Sequence, residues 1–222
     1  MSETPQNIAI IGGHGNIALL LTRLLADQGS QVTSFIRKSE QSADVEAAGG
    51  TPLVADVETL SAEEFAEHLT GQQAVVFAAG AGGGSADRTY AVDRDAAIAA
   101  VNAARTSGAS RFVMLSYFGA GPNHGVPSDN DFFAYAEAKA AADAYLSGAP
   151  GLDWTIVAPS ALTNDEGTGQ IDAAAESASD VPRADVAAVI AAVLADPSTV
   201  GRTISFNSGR TPINLAIPDT AS

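Results

Sequence analysis

Short apolar, β-branched runs alternate along most of the chain with stretches whose apolar positions recur at helical spacing. Strand-like runs fall at Ile8–Ile11, Gln31–Ile36, Thr51–Ala55, Ala74–Ala78, Arg111–Ser116, Thr155–Ala158 and Thr203–Phe206. Helical patterns occupy Asn16–Gln28, closed by Gly29, and a short piece within Ser39–Ala48. Others occupy Ser61–Leu69, Thr89–Ser107, Asp131–Ser147 and Arg183–Ala195. Ser61 and Glu64 have the spacing of a capping box, which marks the start of one helix. Strands apolar on both faces and separated by helices predict an α/β fold. Its core is a doubly wound, mainly parallel sheet between two helical layers. No repeat or linker divides the chain, so residues 1–222 are expected to form one domain, with about 159–222 as a small substrate-side extension.

Three loops exceed what a connection requires: "AAGAGGGSADR" (78–88), "YFGAGPNHGVPSDN" (117–130) and the irregular stretch from Pro159 to about Asp180. All follow strand ends, the edge at which open α/β sheets bind ligands.

Charge narrows the ligands. Eleven Lys and Arg face 26 Asp and Glu, a net charge of −15. Such a surface repels nucleic acid and anionic lipid, so neither is an expected partner, and an anionic ligand needs a local positive device. The chain lacks cysteine, which removes disulfides and thiolate chemistry, and its three histidines (His14, His68, His124) have no metal-ligand spacing. The opening "MSETPQN" lacks the pattern of a secretion signal and no apolar run is long enough for a membrane span, so a cytoplasmic protein is expected.

The positive device lies after the first strand, where Gly12-Gly13-His14-Gly15-Asn16-Ile17-Ala18 reads G-x-x-G-x-x-A. Gly12 permits the sharp exit, Gly15 leaves the backbone bare for a pyrophosphate, and Ala18 lets the helix lie close to the sheet. Asn16 and Ile17 open that helix, whose free N–H groups and dipole favour an anion. The second strand ends in Arg37 and Lys38, where NAD-specific enzymes place an acid for the ribose hydroxyls. A guanidinium there grips a 2′-phosphate, so NADP(H) is expected over NAD(H), led by Arg37. Beside this site, Tyr135 and Lys139 are four apart and share a helix face. The ammonium is expected to lower the phenol's pKa from its ordinary value near ~10 and so equip it for proton transfer.

With these motifs the chain resembles the short-chain dehydrogenase/reductase superfamily, in its atypical, epimerase/dehydratase-like branch. "VADVE" around Asp56, "VVFAAGAG", "RFVMLSYFGA", "WTIVAPSALTNDEGTG" and "PRADVAAVIAAVL" also carry the likeness over nearly the full length. The resemblance implies a Rossmann-like domain with Asp56 and Val57 near adenine. It places Ala78, Ala79 and Gly80 beside ribose and pyrophosphate, and Pro159 to Leu162 near nicotinamide. It implies a catalytic Tyr135, with Lys139 orienting it and the cofactor. The family's Ser-Ser pair reads Ser116-Tyr117, so either side chain can be the oxygen-binding partner. Asp93 stands where family members carry a catalytic Asn, with a solvated or helix-capping acid as the alternative. Ala158 stands where relatives carry Arg.

The expected activity is reduction of a small carbonyl, enone or quinone-like substrate with NADPH. A non-catalytic NADP sensor is the alternative, as is an enzyme resembling flavin or biliverdin reductases. The roughly sixty residues after the sixth strand leave room for a lid but not for a sugar-nucleotide domain. The chain is expected to be a monomer or a homodimer built on its long Ala-rich helices.

Overall fold

A computed structural model describes residues 4–83 and 85–217. The ends of the 1–222 span, and Gly84 of the first long loop, lie outside the described residues.

The chain begins β1 (Asn7–Ile11), α1 (Asn16–Asp27), β2 (Gln31–Ile36), α2 (Ser42–Ala47), β3 (Thr51–Val54), α3 (Ala62–His68) and β4 (Ala74–Phe77). It continues through α4 (Ala86–Thr89), α5 (Ala97–Ser107), β5 (Arg111–Leu115), α6 (Phe133–Ser147) and β6 (Asp153–Pro159). The last third holds β7 (Ala161–Thr163), β8 (Gln170–Asp172), β9 (Asp180–Pro182), α7 (Arg183–Ala195), β10 (Arg202–Ser208), β11 (Thr211–Pro212) and α8 (Ile213–Ala216). Nine strands form one sheet in the order β3-β2-β1-β4-β5-β6-β10-β8-β11. The first seven are parallel and the last two join antiparallel. The architecture is the expected Rossmann-like one.

Apolar residues on both faces of the central strands explain the three layers. Ile8 and Ile10 enter a core with α1 and α7, while Ala9 and Ile11 enter another with α3, α5 and α6. The strand order reverses between β1 and β4, and the cleft for a ligand opens above that reversal. No helix among the described residues is long and apolar enough to cross a membrane.

Most element boundaries differ from the sequence reading by a residue or two, but four differences are structural. The pattern read as one helix from Thr89 is three pieces: α4, a wide π-type coil over Tyr90–Ala96, and α5. An extra residue per turn blurs the 3.6-residue period without abolishing it. Helix α6 starts two residues later than predicted, because Asn130 Oδ1 accepts the Phe132 N–H (2.9 Å) and holds the chain in a turn there. The stretch after Pro159 contains three strands of three residues each, too short for an alternation to register. β11 and α8 follow the strand at Thr203–Phe206, the last element that the sequence pattern predicts.

The capping box is present as predicted: Ser61 Oγ accepts the Glu64 N–H (3.2 Å) and Glu64 accepts the Ser61 N–H (2.9 Å). Replacing Ser61 with Ala is expected to lower stability by about 1 kcal/mol in a urea titration.

Candidate active site

The three glycines of the first turn have separate reasons. Gly12 is left-handed (φ +83°), and a Cβ on it would lie 2.5 Å from the Ala79 Cα. The end of β4 therefore presses on the turn and only glycine fits. A Cβ on Gly13 would lie 2.4 Å from the Ser34 Cβ, a close approach to β2 that the motif reading overlooked. Gly15 has ordinary dihedrals (φ −62°, ψ 150°). Its nearest obstacles would be the Gly12 carbonyl oxygen at 3.3 Å and the Ala18 Cβ at 4.0 Å. The fold demands Gly12 and Gly13; Gly15 is exposed, and a Cβ there would crowd only the Gly12 carbonyl oxygen.

Beside this turn runs a groove of about 340 Å³. It gathers most of the expected cofactor residues: Gly12, Gly15, Arg37, Asp56, Val57, Ala78, Ala79 and Gly80. Asn16, Ile17, Lys38, Lys139, Pro159 and Leu162 lie outside it. Ile17 buries its side chain in the core, so only its backbone can serve a ligand. Lys38 is exposed, Pro159 is buried at the end of β6, and Leu162 is exposed on β7. The groove also contains residues that the motif reading did not select: His14, Gln41, Glu58 and Arg88. His14 is tied to Asp44 (2.7 Å) and Gln41 (3.1 Å), not simply solvated. A wall of bare backbone with a guanidinium at one end fits an extended molecule bearing phosphates.

The second group of expected residues forms a cluster around α6. Tyr135, Lys139 and Asp143 follow at four-residue intervals and share one face. The Lys139 ammonium is buried and donates to the Leu115 carbonyl at the end of β5 (2.6 Å). Asp93 is brought against α6 by the π-type coil and accepts the Ala81 N–H (3.0 Å). It is 1% exposed, so the solvated-acid alternative is excluded. Burial lowers the Lys139 pKa and raises those of Asp93 and Asp143; the attraction between the cation and the two acids opposes each shift.

Ser116 donates to Asp143 Oδ2 at 2.5 Å, which commits its only hydrogen. The Tyr117 ring packs at a tilt against Tyr135 (5.6 Å between centroids) and edge-on to Phe132 (5.3 Å). Its Oη, and Asp143 Oδ1, are buried with no protein partner. Tyr117 and Asp143 border a second hollow of about 240 Å³, walled also by Ser147, Ala158 and Thr203. His124 accepts the Val126 N–H at Nδ1 and donates from Nε2 to Glu137, which fastens the 117–130 loop over α6.

One expectation is corrected. The Tyr135 pKa is raised, chiefly by burial and then by the charges of Asp93 and Asp143. Burial of the phenol, with two acids nearby, overrides the lowering expected from the ammonium. Asp143 was within reach of the sequence reading, as the next step in the spacing that picks out Tyr135 and Lys139.

Comparison with known proteins fits this geometry. The family model described as NAD(P)H-binding matches residues 12–197. A Bacillus subtilis protein named as an uncharacterized sugar epimerase, YhfK, is 36% identical over 214 residues, covering 95% of this chain and 98% of the relative. A Bacillus halodurans structure described as an NAD-dependent epimerase/dehydratase superposes with a TM-score of 0.87 at 31% identity, covering 96% of this chain and 98% of the other. The Lactococcus lactis oxidoreductase ylbE gives 0.83 at 31% identity, covering 95% and 94%. The chain belongs to the NAD(P)H-binding family, in the atypical short-chain dehydrogenase/reductase branch that its motifs resemble.

Proposed function

We propose that the chain is an NADP(H)-dependent oxidoreductase that reduces a small carbonyl or quinone-like molecule. The observation that carries this reading is one sheet edge holding both the bare glycine turn and the Tyr135–Lys139 face. The nicotinamide nucleotide supplies the hydride when bound. The backbone N–H groups of Asn16 and Ile17, beside bare Gly15, hold the pyrophosphate. Asp56 and Val57 border the adenine, and Ala78 to Gly80 the ribose. Pro159 and Leu162 lie towards the nicotinamide end.

Tyr135 is the proton donor. Its raised pKa keeps the phenol protonated at neutral pH, which suits the reductive direction. Lys139, fixed by the Leu115 carbonyl one helical turn from Tyr135, is the orienting residue; burial lowers its pKa while Asp143 and Asp93 oppose that shift. Tyr117 takes the role left open between itself and Ser116, because its hydroxyl is free while that of Ser116 is bound to Asp143. Asp93 positions the Gly80–Ala81 backbone beneath the cofactor groove. The 240 Å³ hollow beside Tyr117 is the space assigned to a small substrate.

Arg37 selects the 2′-phosphate. Arg37→Asp is expected to weaken NADPH by tenfold or more (~1.4 kcal/mol) and NADH far less, measured by titration calorimetry. Equal weakening removes Arg37 from the assignment. Loss of NADPH absorbance with a panel of aldehydes, enones and quinones tests the activity itself. The name of the Bacillus subtilis relative favours a second reading, sugar epimerisation, in which hydride is withdrawn and returned without net NADPH consumption.

A further inference from the structure

Two acids line the cofactor groove, Asp56 and Glu58, and Glu58 is the one that meets the groove's guanidiniums. It sits just after the loop that holds Asp56, whose Oδ1 accepts the Glu58 N–H (3.1 Å). A single oxygen of its carboxylate, Oε1, lies 3.2 Å from Arg88 Nε and 3.9 Å from Arg37 Nη1. Two guanidiniums from separate elements, the end of β2 and α4, thus converge on one anionic oxygen. Arg88 is also fixed from its other side, donating through Nη1 to the Ala81 carbonyl (2.5 Å). All three side chains line the same groove. Eleven basic residues in the whole chain make this convergence costly to assemble by chance in so acidic a protein. Arg37 and Arg88 share this one carboxylate, while the groove's other acid, Asp56, is engaged with the Glu58 N–H.

We propose that Glu58 Oε1 marks the seat of a phosphate oxygen, that Arg88 is the second guanidinium gripping the adenosine 2′-phosphate, and that Glu58 is the internal anion this phosphate displaces. The choice between NADPH and NADH is then set by three residues. Arg37 and Arg88 attract the phosphate, while Glu58 weakens NADPH by occupying their donors and repelling the incoming dianion. The inference rests on the dinucleotide reading of the groove and assigns its selectivity.

Titration calorimetry of NADPH and NADH against the wild type, Arg88→Gln, Arg88→Lys and Glu58→Gln tests it. Arg88→Gln is expected to weaken NADPH about tenfold while leaving NADH within about twofold, and Arg88→Lys to recover part of the loss. Glu58→Gln is expected to tighten NADPH several-fold with NADH unchanged. If Arg88→Gln weakens both nucleotides alike, Arg88 only clips the loop at Ala81 and the inference falls. If Glu58→Gln weakens NADH, Glu58 is a ribose-hydroxyl acceptor and the inference falls too. Wild-type protein that binds neither nucleotide overturns the dinucleotide reading beneath it, an outcome distinct from the other two.

Discussion

Tyr135→Phe is expected to lower turnover by ~10²-fold or more while NADPH affinity stays within about twofold of wild type. The ring stays in place: Tyr135 packs at 5.1 Å from Phe132 and 5.6 Å from Tyr117, contacts that phenylalanine repeats. Only the Oη is lost, and with it the proton for the substrate oxygen. Because burial and two acids hold the phenol above its ordinary pKa, wild-type reduction should show no tyrosine-dependent fall until the pH exceeds the usual phenol range. Steady-state rates paired with calorimetric NADPH affinity give the answer. Undiminished turnover in Tyr135→Phe removes this residue from the chemistry.

Lys139→Met is expected to cost about 3 kcal/mol of stability and to abolish turnover. The ammonium is 1% exposed and is the partner charge for two buried carboxyls. Without it, Asp93 and Asp143 are left as uncompensated buried acids. Both already have folded pKa values above their unfolded ones, so the native state holds more protons than the unfolded chain between the two values. Stability therefore falls as pH rises through that window. Removing Lys139 raises both folded values further, so the deficit should be largest at neutral pH and shrink towards acid. Lys139 itself is shifted downwards, so wild-type stability should rise with pH between its folded and unfolded values, a rise that the methionine variant lacks. Urea unfolding across a pH series separates these slopes; a pH-independent deficit contradicts the electrostatic account.

The fold was legible because its signals are local and repeated. The central strands β1, β4 and β5 are apolar on both faces, and α1 carries a clear helical period. Wherever the period breaks or runs short, reading failed: at the wide coil over Tyr90–Ala96, and at the three-residue strands after Pro159. In the cofactor groove the motif spacing named Gly12 and Gly15, although the contact that demands Gly12 comes from Ala79 at the end of β4. It passed over Gly13, whose reason is a side chain on another strand, Ser34. Arg88 and Glu58 are thirty positions apart and meet only in the folded molecule. Ser116 could be proposed from sequence, but its commitment to Asp143 depends on where α6 crosses the end of β5.

The two outermost strands of the sheet, β3 and β11, are four and two residues long, and each contains a proline, Pro52 and Pro212. A proline has no N–H to offer a newcomer, and its ring crowds an approaching backbone. The protein's borders are thereby guarded against strand addition, which keeps a long, strongly apolar sheet from templating its own aggregation.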